Sequence, residues 1–211
     1  MVIIVKNYSI WKDGINLEKY KELDKDIETD VLIIGGGITG ISTLYHLKDS
    51  GLKVTLVEQN KIGMGVTANT TGKINYLQDK IYNDLFCNFG ENTASLYLKS
   101  QIDARDIILS IIKKNNIKCD LVKSNAYVYT NKKSEIDKIK YLKSFLEKNG
   151  IDVFEEKLEL VNNKYCIGVR DTYLYHPLKF INGVIKKCNY ADIYENTSIK
   201  KIEKDNKKYI C

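Results

Sequence analysis

The chain has 211 residues, 44% hydrophobic and 28% charged, which is enough apolar material for a buried core and unlike the composition of a disordered segment. Its formal charge of +6 arises from 33 Lys and Arg against 27 Asp and Glu, and only Arg105 and Arg170 are arginine. Acids interrupt nearly every lysine cluster, as in Glu18-Lys19-Tyr20-Lys21-Glu22 and Lys201-Ile202-Glu203-Lys204-Asp205, so the basic stripe of a nucleic-acid binder is missing and no such partner is expected.

Residues 1–29 mix aromatic and charged positions without sustained periodicity and read as an extended arm whose Ile10 and Trp11 pack on the body. The apolar start at residues 1–5 gives way at once to Lys6-Asn7, too short for a leader peptide or a transmembrane span. Asp30-Val31-Leu32-Ile33-Ile34 is a β-branched run expected to form a strand buried on both faces, ending at Gly35-Gly36-Gly37. From Ile38 to Ser50 the apolar residues Ile38, Ile41, Leu44, Tyr45 and Leu47 recur at helical spacing, and Gly51 is placed to end the helix. Leu52–Val57 predicts a second strand, closed by Glu58, so the segment is one βαβ unit with parallel strands.

A Gly/Thr/Asn-rich loop follows from Gly63 to Lys73, then a long helix with Ala94, Tyr97, Leu98, Ile102, Ile108, Ile111 and Ile112 on one face, ending near Asn115-Asn116. Cys119 to Thr130 predicts a strand region. Ser134-Glu135-Ile136-Asp137 has the form of a capping box opening a helix that runs to Asn149-Gly150. Short strands are predicted at Val153–Glu155, Cys166–Val169 and Tyr173–Tyr175, and Pro177 at a first helical position starts another helix. Ile193-Tyr194, Ser198–Glu203 and Lys207–Cys211 read as closing strands, the last two as a hairpin around Asp205-Asn206.

Gly35-x-Gly37-x-x-Gly40 sits where a dinucleotide fingerprint must sit, after a buried strand and opening a helix. Gly35 permits the tight turn, Gly37 lets backbone approach a pyrophosphate, and Gly40 lets the helix pack on the strand, while the helix N-terminus offers amides and positive dipole. Glu58 ends the second strand, where a carboxylate accepts both hydroxyls of an adenosine ribose and repels a 2′-phosphate. The motif alone does not separate FAD from NAD. The loop Gly63-Met64-Gly65-Val66-Thr67-Ala68-Asn69-Thr70-Thr71-Gly72-Lys73 tilts toward FAD, because amides and threonine hydroxyls suit a pyrophosphate, ribityl chain or isoalloxazine edge.

The five cysteines, at 87, 119, 166, 188 and 211, are odd in number, contain no C-x-x-C and lie beside neither His46 nor His176. A disulfide framework and a zinc site are therefore disfavoured, no metal is expected, and reduced, inert thiols in a cytoplasmic protein are the expectation. His176 reads as a capping or packing residue, His46 as a surface one and Lys73 as solvated. Tyr127 and Tyr129 share one face of their strand.

The run Asp30–Gly40, the acid at Glu58 and Gly63-x-Gly65-x-Thr67-x-x-Thr70-Thr71-Gly72-Lys73 resemble the FAD-dependent oxidoreductases of the D-amino-acid-oxidase (glycine/sarcosine oxidase-like) superfamily. Ser9-Ile10-Trp11, Asn125–Tyr129 and Tyr175–Phe180 add likeness to the bacterial subgroup that often carries a C-terminal Rieske domain. The resemblance implies an α/β fold: a Rossmann-like FAD-binding domain with a βαβ start and an inserted α+β substrate-domain portion. Its expected divisions are an arm at 1–29, the FAD-binding βαβ, loop and helices at 30–118, part of the substrate domain at 119–175, and a return to the FAD-binding domain at 176–211.

Carried over by position, Gly35, Gly37, Ile38, Thr39 and Gly40 would hold the pyrophosphate and Glu58 the ribose. Gly65, Thr67, Thr70, Thr71 and Gly72 would meet the flavin side, and the backbone of Ile199 the adenine. The implied activity is hydride transfer from a C–H next to nitrogen, in an amine or amino-acid-like substrate, to flavin; no catalytic side chain is identified. The family chain continues past this point, whereas this sequence stops at Cys211 and has no Cys-x-His for a Rieske cluster. It resembles an N-terminal half, so the alternatives are a non-catalytic remnant, one subunit of a split flavoenzyme whose partner chain supplies the other half, or a nicotinamide-dependent dehydrogenase.

Overall fold

The computed structural model describes residues 8–159, 161–206 and 208–211. In chain order the strands are β1 (Val31–Ile34), β2 (Val54–Val57), β3 (Lys73–Ile74), β4 (Val122–Thr130), β5 (Val153–Glu155), β6 (Tyr165–Leu174), β7 (Asp192–Tyr194), β8 (Glu203–Asp205) and β9 (Lys208–Ile210). The α-helices are α1 (Ile38–His46), α2 (Asp79–Asn115), α3 (Ile136–Lys148) and α4 (Pro177–Ile185). The chain divides into two units, one of Met1–Thr71, Ile111–Asp120 and His176–Cys211, the other of Gly72–Ser110 and Leu121–Tyr175.

The first unit is built on a parallel sheet in the order β1-β2-β7. Val31–Ile34 runs in register with Val54–Val57, and Thr55–Val57 with Asp192–Tyr194. The central strand β2 is buried at every position, which its Val-Thr-Leu-Val sequence permits because both faces are covered. Helix α1 buries Ile41, Leu44 and Tyr45, and α4 buries Leu178, Phe180, Ile181, Val184 and Ile185; the two helices pack on each other. Each such large side chain contributes roughly 1.5–3 kcal/mol through the apolar area removed from water. The strand expected at Ser198–Glu203 forms only from Glu203, in the hairpin of β8 and β9 around Asp205-Asn206. The expected strand start at Lys207 lies outside the described residues, as do residues 1–7 of the arm.

Further expectations for the first unit need correction. Strand β1 is not buried on both faces: only Ile33 is buried, and Ile34 is 53% exposed at the end of the strand. Ile10 does not pack: it is 74% exposed, whereas its neighbour Trp11 is half-buried. Helix α1 stops at His46 and continues to Ser50 only as turns, since Leu47 is already the C-cap.

The second unit is antiparallel. Strand β6 is its centre, with β4 along one side and β5 and β3 sharing the other. The two short strands expected at Cys166–Val169 and Tyr173–Tyr175 are one strand, carried through a bulge. Between Ser124↔Thr172 and Ala126↔Val169 one residue of β4 faces two of β6, and Asp171 takes φ 59° to absorb the extra residue. Lys123 pairs with the Asp171 carboxylate at 2.6 Å and holds it below its ordinary range, while Arg105 donates to the Asp171 carbonyl at 3.2 Å.

One face of this sheet is closed by α2 and α3 through Tyr82, Ala94, Leu98, Leu142, Phe145 and Leu146 packed with Ile167 and Val169. The ring of Phe86 meets Phe145 edge-on at 4.7 Å. Helix α2 is interrupted at Gly90, whose φ of 78° is non-helical. The capping box expected at Ser134 does not form. A 3-10 turn at Lys133–Glu135 precedes α3, and the Glu135 carboxylate accepts the Thr130 hydroxyl at 2.7 Å instead of an amide of its own helix.

Candidate functional site

The turn from β1 into α1 is built on Gly35. Gly35 takes φ 104° and donates its amide to the Val57 carbonyl at 2.8 Å, which ties the turn to the end of β2. A Cβ on Gly40 would sit 2.0 Å from the Gly35 carbonyl oxygen, so no larger residue fits while α1 stays this close to the strand. Gly37 is the N-cap in extended conformation and supplies no side-chain cap. A helix leaves its first amides without intrahelical acceptors. Here the Thr67 hydroxyl, on a residue only 5% exposed, accepts the Ile38 amide at 2.9 Å, while Thr39 and Gly40 continue the first turn.

The loop predicted from Gly63 to Lys73 contains a 3-10 turn at Val66–Asn69, with Gly65 as its N-cap and the Asn69 amide donating to the Gly65 carbonyl at 2.7 Å. That turn is what carries Thr67 to the start of α1. Thr70 lies at its C-terminal end, and its carbonyl accepts the indole N–H of Trp11 at 2.7 Å. Thr71 is exposed. Gly72 opens the second unit, where its carbonyl accepts the Tyr175 amide at 2.9 Å.

Glu58 follows β2 directly. One carboxylate oxygen accepts the Gly36 amide at 2.8 Å and the other the Asn60 amide at 2.9 Å. Because each oxygen has two lone pairs, both keep an acceptor position. The Glu58 backbone bonds to β7 and the segment after it, its amide to the Tyr194 carbonyl and its carbonyl to the Thr197 amide, both at 2.9 Å. Ile199 is two residues further along this segment and half-buried.

One residue that organises this region escaped the sequence. Glu195 is 5% exposed and accepts the amides of Ile62 at 2.8 Å and Tyr20 at 3.1 Å. Ile62 in turn lies where a Cβ on Gly36 would come within 2.7 Å of it. The partners of Glu195 are 133 and 175 residues away, and nothing in its local sequence marks it. Trp11, expected to pack on the body, adds an edge-on contact with the His176 ring at 5.2 Å to its bond with Thr70.

The remaining candidates differ in their surroundings. His176 is the N-cap of α4: its Nδ1 accepts the Lys179 amide at 3.3 Å, and burial, with Lys179 nearby, lowers its pKa from 6.5. His46 and Lys73 are exposed, as are Tyr127 and Tyr129 on one face of β4. Burial raises the thiol pKa of Cys119 and Cys166 and pushes that of Cys188 up to about 11, so these three are poor nucleophiles. Among the described residues no cluster of three or more His, Cys, Asp or Glu could hold a metal, and no helix is long and apolar enough to cross a membrane.

The family model described as "DAO: FAD dependent oxidoreductase" matches residues 30–211, a stretch that begins one residue before β1 and includes the whole arrangement around Gly35, Glu58 and Thr67. A "Putative Rieske 2Fe-2S iron-sulfur protein YhfW" of Bacillus subtilis is 33% identical over 198 residues, covering 92% of this chain and 39% of that protein. The gamma-glutamylputrescine oxidoreductase of Escherichia coli is 24% identical, with 87% of this chain and 45% of that protein covered. Glycine oxidase from Geobacillus kaustophilus shares the fold with a TM-score of 0.67 at 16% identity, over 86% of this chain and 50% of that one. The chain thus spans half or less of the length of each. A glycine turn, an acid ending the second strand and a parallel βαβ sheet, matched together by one family model over most of the sequence, place the chain in the DAO family of FAD-dependent oxidoreductases.

Proposed function

We propose that this chain carries the FAD-binding part of an oxidoreductase acting on an amine or amino-acid-like small molecule. In this reading Gly35, Gly37, Ile38, Thr39 and Gly40 hold the pyrophosphate, Glu58 the adenosine ribose and the Ile199 backbone the adenine. Gly65, Thr67, Thr70 and Thr71 serve the flavin side. The observation that carries the reading is the Glu58 carboxylate fixed by the Gly36 and Asn60 amides beside a helix N-terminus whose N-cap, Gly37, has no side chain and where Thr67 takes only the Ile38 amide.

The first turn of α1 supplies amide donors and positive dipole to phosphate oxygens, and the Thr67 hydroxyl holds the strand–loop geometry that exposes them. The spare acceptor positions of Glu58 accept hydrogen bonds donated by the two ribose hydroxyls. The absence of side chains at Gly35 and Gly37 allows the backbone to approach the ligand closely. When bound, FAD supplies acceptance of a hydride from a C–H beside nitrogen. The names of the Escherichia coli and Geobacillus proteins, an oxidoreductase of an acylated diamine and an oxidase of an amino acid, support that substrate class. Because the matched region is 39–50% of these relatives, the complete activity is assigned to this part together with a complementary part, in the same or in a partner chain.

The test is the visible absorbance spectrum of the purified chain before and after adding FAD, with NAD as the control. A saturable shift of the flavin bands, retained through gel filtration and reversed by ADP, is expected. Retention of NAD with no response to FAD would transfer the site to a nicotinamide cofactor.

A further inference from the structure

Helix α4 has a second face, which the dinucleotide cradle does not use. Leu178 and Ile181 point to the loop at Gly63, where their side chains come within 2.9 Å and 2.4 Å of the position a Cβ would take. Lys179, Asn182, Gly183 and Lys186 recur at i, i+3, i+4 and i+7 and therefore share another face. This face lines a cavity of about 320 Å³ together with Asn16 of the arm and Ile117-Lys118. Ile117, 8% exposed, forms an apolar wall, and α4 reaches it closely because residue 183 has no side chain: a Cβ there would be 2.5 Å from Ile117.

The charge of this cavity is one-sided. Three ammonium groups, of Lys118, Lys179 and Lys186, line it with two side-chain amides and no carboxylate. Asp120, outside the lining, pairs with Lys179 at 2.7 Å; among the described residues Lys118 and Lys186 have no ion pair. Elsewhere the sequence intersperses acids among its lysines. Lys118 and Lys186 thus bring two uncompensated like charges to one concave space, which favours entry of an anion.

We propose that this cavity binds the phosphate group of a small phosphorylated molecule or free phosphate, at a site separate from the dinucleotide cradle. A phosphate carries close to two negative charges at neutral pH and presents several acceptor oxygens, which matches the two lysines without an ion pair, Lys118 and Lys186, and the two amides better than a carboxylate with one charge. The volume is in the range of small-molecule sites and leaves room for an organic group against Ile117.

The experiment is calorimetric titration of the full chain with inorganic phosphate and, separately, with phenyl phosphate. Variants compared are Lys118→Gln/Lys186→Gln and, as a control losing the same charge, Lys138→Gln/Lys140→Gln on α3. The expected result is saturable binding that the first pair weakens by about tenfold and the control pair leaves unchanged. Tighter binding of phenyl phosphate assigns the site to a phosphate ester, and equal binding to free phosphate. Absence of saturable binding of either compound at millimolar concentration, or equal weakening by both variant pairs, would overturn the proposal. Neither readout involves FAD, so failure here is distinguishable from failure of the cofactor assignment.

Discussion

The amide of Gly36 donates to the carboxylate of Glu58 at 2.8 Å, joining the turn after β1 to the end of β2. An acid at the end of the second strand of a βαβ unit is usually read only for what it offers a ribose. Here it also holds the glycine turn in place, so the same side chain shapes the cradle and contributes to it.

Glu58→Gln therefore separates two effects. Glutamine keeps one carbonyl acceptor and turns an NH2 group toward one of the two backbone amides, losing a charge-assisted hydrogen bond. The side chain is half-buried, so the cost falls at the low end of the range for such bonds, about 1 kcal/mol in stability. Affinity for FAD should fall by about tenfold or more, because the ribose loses a charged acceptor as well. Flavin titration and urea unfolding of the two proteins measure both numbers; unchanged flavin affinity would remove Glu58 from the ribose site.

Gly40→Ala tests the close approach of α1 to the strand. Its Cβ would be placed 2.0 Å from the Gly35 carbonyl oxygen, a backbone atom that cannot rotate away. The helix must then move from β1, disturbing the burial of Ile41 and Leu44, both fully inaccessible to solvent. A loss of about 3 kcal/mol or more is expected by the mechanism of overpacking. Thermal unfolding followed by far-UV circular dichroism gives the answer, and a change within roughly 0.5 kcal/mol, the range of ordinary surface substitutions, would contradict the geometry.

What could be read in the sequence was local. The βαβ unit follows from short-range signals: a β-branched run for β1, helical spacing from Ile38 and a second apolar run for β2. Family resemblance assigns Thr67 only to the flavin side; its contact with the Ile38 amide, 29 residues away, is not revealed by spacing along the chain. Glu195 was missed altogether, since its two amide partners belong to the arm and to the loop after β2. The capping box at Ser134 does not form because a 3-10 turn at Lys133–Glu135 takes Ser134 up and leaves Glu135, whose carboxylate accepts the Thr130 hydroxyl, as the N-cap of α3. The bulge at Asp171 was invisible for a similar reason: it is a register adjustment between β4 and β6, and neither strand alone contains it.

Glu195→Gln addresses the missed residue. A buried carboxylate accepting two backbone amides becomes a group with one acceptor, leaving either the Ile62 or the Tyr20 amide facing an NH2. The expected cost is about 1–3 kcal/mol, the desolvation penalty of one unsatisfied buried donor. Hydrogen exchange provides the specific readout: the Ile62 and Tyr20 amides should exchange faster in the variant, while amides of α3 in the other unit remain as protected as before. Uniform acceleration everywhere would mean only a general loss of stability.

The cap of α4 makes the first unit sensitive to acid. Nδ1 of His176 accepts the Lys179 amide at 3.3 Å, which requires that nitrogen to be unprotonated. Burial and then the Lys179 ammonium lower the imidazole pKa from 6.5 in the folded chain, against the opposing pull of Asp120. With the folded value below the unfolded one, the unfolded state binds the proton first as pH drops, so stability is full above the unfolded pKa. It declines as pH falls below 6.5 and the loss levels off only beneath the folded pKa. Asn at the same position is a good N-cap that does not titrate. His176→Asn should therefore match the parent protein near neutrality and show a shallower fall in Tm between pH 7 and pH 5, the interval in which an ordinary histidine changes charge. Carboxylates contribute an acid slope to both proteins, so the difference between the two curves is the quantity that matters. Parallel curves throughout that interval would show that protonation of His176 is not coupled to unfolding.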